Sequence, residues 1–171
     1  KKLIRIASKR LKEKSYPINI ENQEYDKFCS TFPYVETDDQ LNAINDVMND
    51  FDKNIPGDRL IVGDVAFGKT EVIIRALFLA AKSKIQSIVF VPTTLLSRQH
   101  FNNFKNRFSI FNIKIAEISR LITNKEKLKI FEDCAQGKID VLIGTHALLN
   151  NKLSFKKLGL IIYDEEQKLG T

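Results

Sequence analysis

The strongest constraint on this chain is a glycine-containing stretch that joins two apolar segments. Residues 63–70 read Gly-Asp-Val-Ala-Phe-Gly-Lys-Thr, which fits the pattern G-x-x-x-x-G-K-[ST] of a phosphate-binding loop. The apolar residues 60–62 precede it as a predicted buried strand, and residues 72–81 follow it as a predicted buried helix. This order of strand, loop and helix is the structural context that the motif requires.

The chemistry of this loop predicts binding of the β- and γ-phosphates of a nucleotide together with Mg²⁺. Glycines let the backbone turn so that its N–H groups face phosphate oxygens, and the helix N-terminus adds a positive partial charge. Lys69 is expected to reach the β- and γ-phosphates, and Thr70 offers a hydroxyl ligand to the metal. The predicted nucleotide-binding residues of this segment are Gly63, Asp64, Val65, Ala66, Phe67, Gly68, Lys69, Thr70 and Glu71.

Charge is concentrated at the amino-terminal end of the chain. The 171 residues carry a net charge of +6, and the first 15 hold seven basic residues and one acidic residue, so the remainder is balanced. Bulk charge therefore does not indicate a nucleic-acid-binding core, although the first residues fit either a solvated helix face or contact with phosphates or an acidic partner. No run of 18 apolar residues is present. Cys29 and Cys134 lack metal-ligand spacing, so we expect reduced thiols in a cytoplasmic protein.

The chain alternates between predicted strands and predicted helices after residue 58. Continuous apolar runs such as 87–91, 141–143 and 160–163 are typical of strands that are covered on both faces in a parallel α/β sheet. Upstream, Thr37 is a predicted N-cap. The predicted strands are 59–63, 86–91, 113–118, 139–143 and 158–163, and the predicted helices are 2–14, 22–30, 69–82, 94–108, 124–136 and the one that begins after Thr37.

Acidic residues follow the last predicted strand. Asp164 and Glu165 come directly after the run 160–163, at the carboxyl end of a strand, where open α/β sheets bind ligands. An acid at this point can hold Mg²⁺ from the side opposite Thr70, and a second acid can orient and deprotonate water. We therefore predict Thr70 and Asp164 as metal ligands and Lys69, Asp164 and Glu165 as catalytic residues.

These segments together resemble the first RecA-like lobe of the superfamily 2 helicases and translocases. The resemblance implies an α/β fold, a P-loop NTPase lobe with a mostly parallel central sheet flanked by helices. It places a helical extension at residues 1–31 before the lobe at residues 32–171. The segments that carry it are 63–70 (motif I), 91–96 with 99–100 (motif Ia), 137–146 (motif Ib and its lead-in) and 164–167 (motif II).

Within the superfamily the chain looks most like the bacterial transcription-repair coupling factors. The fork helicase RecG shares most of the same segments and is a poorer match. The coupling factors use ATP to translocate on double-stranded DNA, push stalled RNA polymerase off a lesion and recruit excision-repair proteins. The resemblance implies these partners, the two proteins being bound through other domains, and no membrane. The segments concerned are 63–71, 92–96, 118–120 and 164–166.

Residue roles follow from the same resemblance. Gln40 is expected to read adenine and Phe32 to stack nearby, although Gln40 also fits simple polar helix surface. Hydroxyl, amide and basic groups can grip DNA phosphates without reading sequence. The predicted DNA-binding residues are Thr93, Thr94, Gln99, His100, Ser119, Arg120, Thr145 and His146. The two threonines at the start of this group fit equally well as helix caps, and the two histidines as residues without a ligand.

The sequence departs from the family pattern in motif II and leaves other functions open. Gln167 stands where these families usually have His, so hydrogen bonding is retained and charge is not. Motif III and a second lobe are absent from the sequence, and the transition-state arginine of the family belongs to that lobe. We therefore expect negligible ATP hydrolysis by the chain alone. The alternatives are a lobe of a RecG-type fork-remodelling helicase, a P-loop kinase of small molecules, and a nucleotide-sensing or partner-docking domain.

Overall fold

The computed structural model describes residues 14–19, 23–53, 55–63, 68–145 and 152–164. The predicted helix over 2–14 therefore lies outside the described residues, apart from its last position. Contacts divide the chain into two units, Lys1–Leu79 and Ala80–Thr171. The helices are α1 (Tyr25–Cys29), α2 (Asp38–Asp52), α3 (Lys69–Lys82), α4 (Thr94–Phe108) and α5 (Asn124–Ala135). The strands are β1 (Gln86–Phe90), β2 (Ile115–Ile118), β3 (Val141–Gly144) and β4 (Leu158–Tyr163).

Threonine side chains fix where three of the helices begin. Thr37 precedes α2 and accepts a hydrogen bond from the backbone N–H of Gln40, whose side chain returns a bond to the Thr37 N–H. Thr123 caps α5 with the same reciprocal pair of bonds, to Glu126, whereas Thr93 caps α4 by accepting from the N–H of Leu96 alone. Each cap satisfies an N–H group that the first helical turn leaves without an intrahelical partner. The predicted cap at Thr37 is confirmed.

Aromatic stacking and ion pairs hold the unit Lys1–Leu79 together. Phe28 of α1 is fully buried and stacks on Phe78 of α3, with ring centroids 4.1 Å apart and an interplanar angle of 10°. Arg59 bonds to Asp50 and Asp46 of α2 at 2.5 and 2.8 Å. The hydrogen bond from Arg59 is the main reason that the pKa of Asp50 falls to about 2. The chain that leads toward the glycine loop is thereby tied to α2.

A parallel sheet of four strands forms the framework of the unit Ala80–Thr171. The strand order is β2-β3-β1-β4, and all three pairings are parallel. Strands β1 and β3 are buried along their whole length, as their continuous apolar sequences predict. A core cluster lies on one face of this sheet and consists of Ile88, Phe90, Ile118, Phe131, Cys134, Ile139 and Leu142.

One buried polar side chain joins three segments of this unit. Gln86 is 4% exposed, and its amide nitrogen donates to the carbonyls of Cys134 and Ile139 at 3.0 and 2.8 Å. Its amide oxygen accepts from the N–H of Lys157 at 2.9 Å. Because a buried amide that lacks partners is costly, these bonds fix the end of α5 and the start of β4 against β1.

Two strand predictions differ from the structure. Residues 59–63 form no strand, and Leu60 and Val62 are 76% and 86% exposed. A strand needs the backbone groups of a partner, and the four described strands pair only among themselves. Strand β4 has the predicted bounds but is not covered on both faces, since Ile161 and Tyr163 are about half exposed. Its only described neighbour is β1, which leaves its other edge unpaired within the described part of the chain.

The remaining elements agree with the sequence-based expectations to within a few residues. Residues 72–81 are buried at every position except Ile73, as predicted for a helix that is apolar almost all round. No helix in the described part of the chain is long and apolar enough to cross a membrane.

Candidate functional site

The ends of the glycine loop lie in the described part of the chain, whereas residues 64–67 lie outside it. Lys69 is the first residue of α3, and its ammonium group donates a hydrogen bond to the carbonyl of Gly63. Gly68 has a φ of +63°, in the left-handed region that favours glycine. The ammonium group is therefore held between the two ends of the loop, at the N-terminus of a buried helix.

Gln40 connects the helix α2 to this loop. Its side-chain oxygen accepts from the N–H of Thr37 at 2.9 Å, so part of its amide serves as the helix cap. Its amide nitrogen lies directly against Gly68, where a β-carbon would overlap it. Gln40 is thus a polar element of the first helical turn whose amide also reaches the loop; its predicted contact with adenine stays a prediction.

A buried arginine that the sequence analysis missed organises the surroundings of Phe32. Arg75 is 5% exposed and donates to Glu71 at 2.9 Å and to Glu36. Its guanidinium carbon lies 6.0 Å from the ring centroid of Phe32, and Phe32 packs edge-on against Tyr34 at 5.5 Å. Burial alone would lower the pKa of Arg75, but its hydrogen bonds to Glu36 and Glu71 outweigh burial and raise that pKa. The available sequence signal was the i, i+4 spacing of Glu71 and Arg75 on a helix.

This arrangement also involves Glu71. Its side chain is buried at 4% exposure and pairs with Arg75. The predicted nucleotide contact of Glu71 stays a prediction, and its carboxylate is directed to the guanidinium in this structure. It acts on Arg75, which in turn holds the loop that carries Phe32.

The predicted residues of the unit Ala80–Thr171 follow the carboxyl ends of its strands. Thr93 lies three residues after β1 and Asp164 directly after β4, while Ser119 and Thr145 directly follow β2 and β3. Because all four strands are parallel, these positions share one edge of the sheet. The position of Asp164 directly after the last strand agrees with the sequence-based expectation. His146 and Glu165 lie outside the described residues.

The predicted DNA-binding residues differ in their exposure. Thr93 and Gln99 on α4 and Arg120 after β2 are exposed, and Thr94 is half-buried. The hydroxyl of Thr93 also accepts from Leu96 N–H at 3.2 Å, so it caps α4 as the alternative interpretation predicts. Ser119 and Thr145 are only 5% and 9% exposed, because they sit where their strands leave the core. Thr93, Gln99 and Arg120 are therefore the candidates whose side chains are open to a ligand.

The side chain of His100, unlike that of its neighbour Gln99, is buried and contacts another residue of the chain. Its side chain is 6% exposed and its Nε2 lies 2.7 Å from Oδ2 of Asp164. In this structure the imidazole is buried and directed to the Asp164 carboxylate, and the predicted DNA contact of His100 stays a prediction. The periodicity of α4 explains the difference, since Gln99 faces solvent and the next residue turns inward.

The described residues suit a metal that takes few protein ligands. No group of three or more His, Cys, Asp or Glu among them could hold a metal ion. Within the unit Ala80–Thr171, the carboxylate of Asp164 offers an oxygen donor of the kind that Mg²⁺ takes when substrate phosphates and waters complete its shell. Both cysteines are free, and burial raises the pKa of the Cys134 thiol to about 12.

Comparison with known proteins identifies the family. The family profile described as DEAD/DEAH box helicase matches residues 37–171. The chain belongs to the DEAD/DEAH box helicase family. Membership places the glycine loop and the acids after β4 in a helicase lobe and removes the small-molecule kinase alternative.

Two curated relatives and one solved structure show which helicases the chain is similar to. The chain is 48% identical to the transcription-repair-coupling factor of Rickettsia typhi (strain ATCC VR-144 / Wilmington) and 45% identical to that of Escherichia coli (strain K12). Each match covers 98% of this chain, which spans about 15% of the length of those relatives. The structure of RecG bound to a three-way DNA junction matches with a TM-score of 0.87 and 37% identity, over 95% of this chain and 22% of that one. The RecA-like fold predicted from the sequence is confirmed.

Replacement of Gly68 tests the contact between the loop and α2. We expect Gly68→Ala to lower the free energy of unfolding by about 1–2 kcal/mol, because the left-handed backbone conformation is strained for alanine. In addition, the alanine β-carbon would displace the Gln40 amide. Nucleotide binding should weaken as well. The measurements are urea unfolding and titration with a fluorescent ATP analogue.

Gly57 provides the matched control for this substitution. A β-carbon there would lie 3.7 Å from the nearest side-chain atom, which is ordinary contact, so Gly57→Ala should leave stability and nucleotide affinity nearly unchanged. Equal effects of the two substitutions would contradict the assigned role of Gly68.

Removal of the Arg75 guanidinium tests the ion cluster that this residue forms with Glu36 and Glu71. We expect Arg75→Met to lower the free energy of unfolding by about 3–5 kcal/mol, because it removes the guanidinium that pairs with the buried Glu71 carboxylate. The double variant Arg75→Met/Glu71→Gln should recover most of that loss. Urea unfolding measures both, and a cost below about 1 kcal/mol for the single variant would show that the cluster does not hold this region.

Proposed function

We propose that this chain is the first motor lobe of an ATP-dependent translocase on double-stranded DNA that displaces stalled RNA polymerase and couples transcription to DNA repair. The observation that carries the proposal is the shared edge of the parallel sheet, where Thr93, Thr145 and Asp164 follow neighbouring strands. Groups suited to phosphates and a group suited to a metal thus stand on one rigid framework. Such a framework allows chemistry at the nucleotide to be linked to contacts with DNA.

The nucleotide side of the proposal uses the residues around the glycine loop. Lys69 supplies positive charge to the β- and γ-phosphates, Gln40 hydrogen-bonds adenine and Phe32 stacks beside it. Thr70 and Asp164 provide oxygen ligands to Mg²⁺, which supplies charge neutralisation and orientation of the phosphates when it is bound. By the sequence pattern, residues 63–68 would offer backbone N–H groups to the phosphates, and Glu165, the next acid after Asp164, would orient the attacking water.

The DNA side of the proposal uses exposed groups at the strand ends. Thr93, Gln99 and Arg120 offer a hydroxyl, an amide and a guanidinium, all of which bind phosphates without reading base sequence. Thr94, Ser119, Thr145 and His146 belong to the same segments and would contact the DNA backbone with them. Contact of this kind suits a motor that steps along any sequence.

The similarity to coupling factors favours this role over a second candidate. The matched coupling factors are 45–48% identical to the chain, against 37% for RecG. RNA polymerase and excision-repair proteins would bind through other parts of the full-length protein, and residues 1–31 would form the connection into the lobe at 32–171. A RecG-type fork-remodelling lobe is the second candidate, because the RecG structure superposes with a TM-score of 0.87.

Turnover of ATP by the full-length protein that carries this chain tests the proposal. We expect hydrolysis that rises on addition of duplex DNA and falls on the order of 10²–10³-fold in Lys69→Ala, the scale seen when one charge-stabilising donor is removed. Lys125→Ala is the matched control, since Lys125 is an exposed lysine of α5 outside the proposed sites. The chain expressed alone should hydrolyse ATP negligibly.

Two results would contradict the proposal in different ways. Turnover that depends on Lys69 but ignores duplex DNA would leave an ATPase without the DNA role. DNA-stimulated turnover that regresses forked DNA and fails to release a stalled RNA polymerase would favour the RecG-type alternative. Both assays use the same full-length preparation, so the outcomes are directly comparable.

A further inference from the structure

The side chain of His100 crosses from one element to another inside the unit Ala80–Thr171. His100 lies on α4, next to the exposed Gln99, yet it is itself buried at 4% exposure. Its Nε2 reaches Oδ2 of Asp164, at the end of β4, over 2.7 Å. An ionised carboxylate only accepts hydrogen bonds, so His100 Nε2–H donates and Asp164 accepts. The contact joins a helix that carries predicted DNA-facing groups to the carboxylate proposed as a metal ligand.

The main chain of Asp164 is already fixed before this contact is made. Its N–H donates to the carbonyl of Phe90 at 2.9 Å, which continues the pairing of β1 with β4 one residue past the strand. With the backbone held, the side-chain torsions are the freedom that remains to the carboxylate. The hydrogen bond from His100 to Oδ2 restrains these torsions. The other carboxylate oxygen of Asp164, Oδ1, takes no part in that bond.

The imidazole ring is held in place by aromatic packing. Its centroid lies 5.2 Å from that of Phe104, one helical turn further along α4, and Phe104 is fully buried. Phe104 in turn packs against Phe108, with centroids 6.3 Å apart. A ring restrained in this way loses little further freedom when it donates a hydrogen bond, so the donor is pre-organised toward Asp164.

We propose that His100 is a positioning residue that orients the Asp164 carboxylate for Mg²⁺ in the nucleotide site. The proposal rests on the role given to Asp164 under the proposed function. It deepens that role by naming the group that aims the metal ligand. Outer partners of metal ligands typically change metal affinity or activity by about 10–100-fold when they are removed.

Two substitutions at His100 separate positioning from packing. The amide nitrogen of Gln lies as many bonds from Cβ as Nε2 of His does, so His100→Gln retains a donor, whereas His100→Leu fills space without one. Asn102→Ala, at an exposed position of the same helix, is the control. If His100→Leu does not fold, His100→Met replaces it, since Met also lacks the donor and adapts to irregular core space.

The measurement is binding of a fluorescent, non-hydrolysable ATP analogue to the full-length protein as Mg²⁺ is titrated, with thermal unfolding of each variant. We expect His100→Leu to raise the Mg²⁺ concentration at half-saturation by about 10–100-fold, and His100→Gln to stay within about threefold of the unsubstituted protein. Binding of the analogue without Mg²⁺ should be the same in all variants. DNA-stimulated turnover, measured in parallel, should fall in the same order.

Three outcomes would overturn the positioning role. They are an unchanged Mg²⁺ requirement in a folded His100→Leu protein, an equal loss in the Leu and Gln variants that follows their thermal stability, and nucleotide binding by the unsubstituted protein that does not respond to Mg²⁺. The titration needs no DNA, so it is independent of the main test of the proposed function. ATP turnover that does not respond to DNA would contradict the proposed translocase function. The positioning role of His100 would still be tested by the Mg²⁺ titration, which does not involve DNA.

Discussion

Parallel pairing of β1 with both of its neighbours is the constraint on which the candidate site depends. Ser87 pairs with Val141 of β3 on one side and with Leu160 of β4 on the other, so the three strands run in register and end together. Their carboxyl ends therefore deliver Thr93, Thr145 and Asp164 to one edge. If the register of β4 slipped by one residue, its half-buried side chains would turn to the exposed face and Asp164 would lose its position beside the residues that follow β1 and β3.

The unit Lys1–Leu79 organises the phosphate loop by a different kind of interaction. There the positions are set by polar side chains, namely Gln40 against Gly68 and Arg75 between Glu36 and Glu71. Such contacts are directional, and a buried charge without its partner is costly. The predicted adenine segment and the loop are thus tied to the same helix, α3, which the apolar core holds firmly.

The secondary structure was largely predictable because local signals and burial agree. Thr37 begins α2 as its capping residue indicates, and the bounds of α3, α4 and β4 match the predicted ones. The exceptions are segments whose secondary structure depends on pairing with another strand. An apolar run such as 59–63 shows a tendency to be buried but does not specify which strand pairs with it.

The sequence indicates which segments carry the candidate site residues, but it does not indicate which side chains those residues contact. Glycines, Lys69 and the acid at 164 are recognisable because the chemistry of phosphate and metal binding demands those residue types at that spacing. The partners of His100 and Glu71 were missed, because helical periodicity gives the face on which a residue lies and not the side chain it meets there. Arg75 was missed for the same reason, since its second partner is 39 residues away in the sequence.

Movement along DNA is the most direct test of the central claim that this chain belongs to a translocase motor. The measurement is displacement of a third strand from a DNA triplex by the full-length protein, with the duplex as its only track. We expect displacement that requires hydrolysable ATP and is lost in Lys69→Ala. ATP hydrolysis stimulated by duplex DNA with no displacement of the third strand would contradict it.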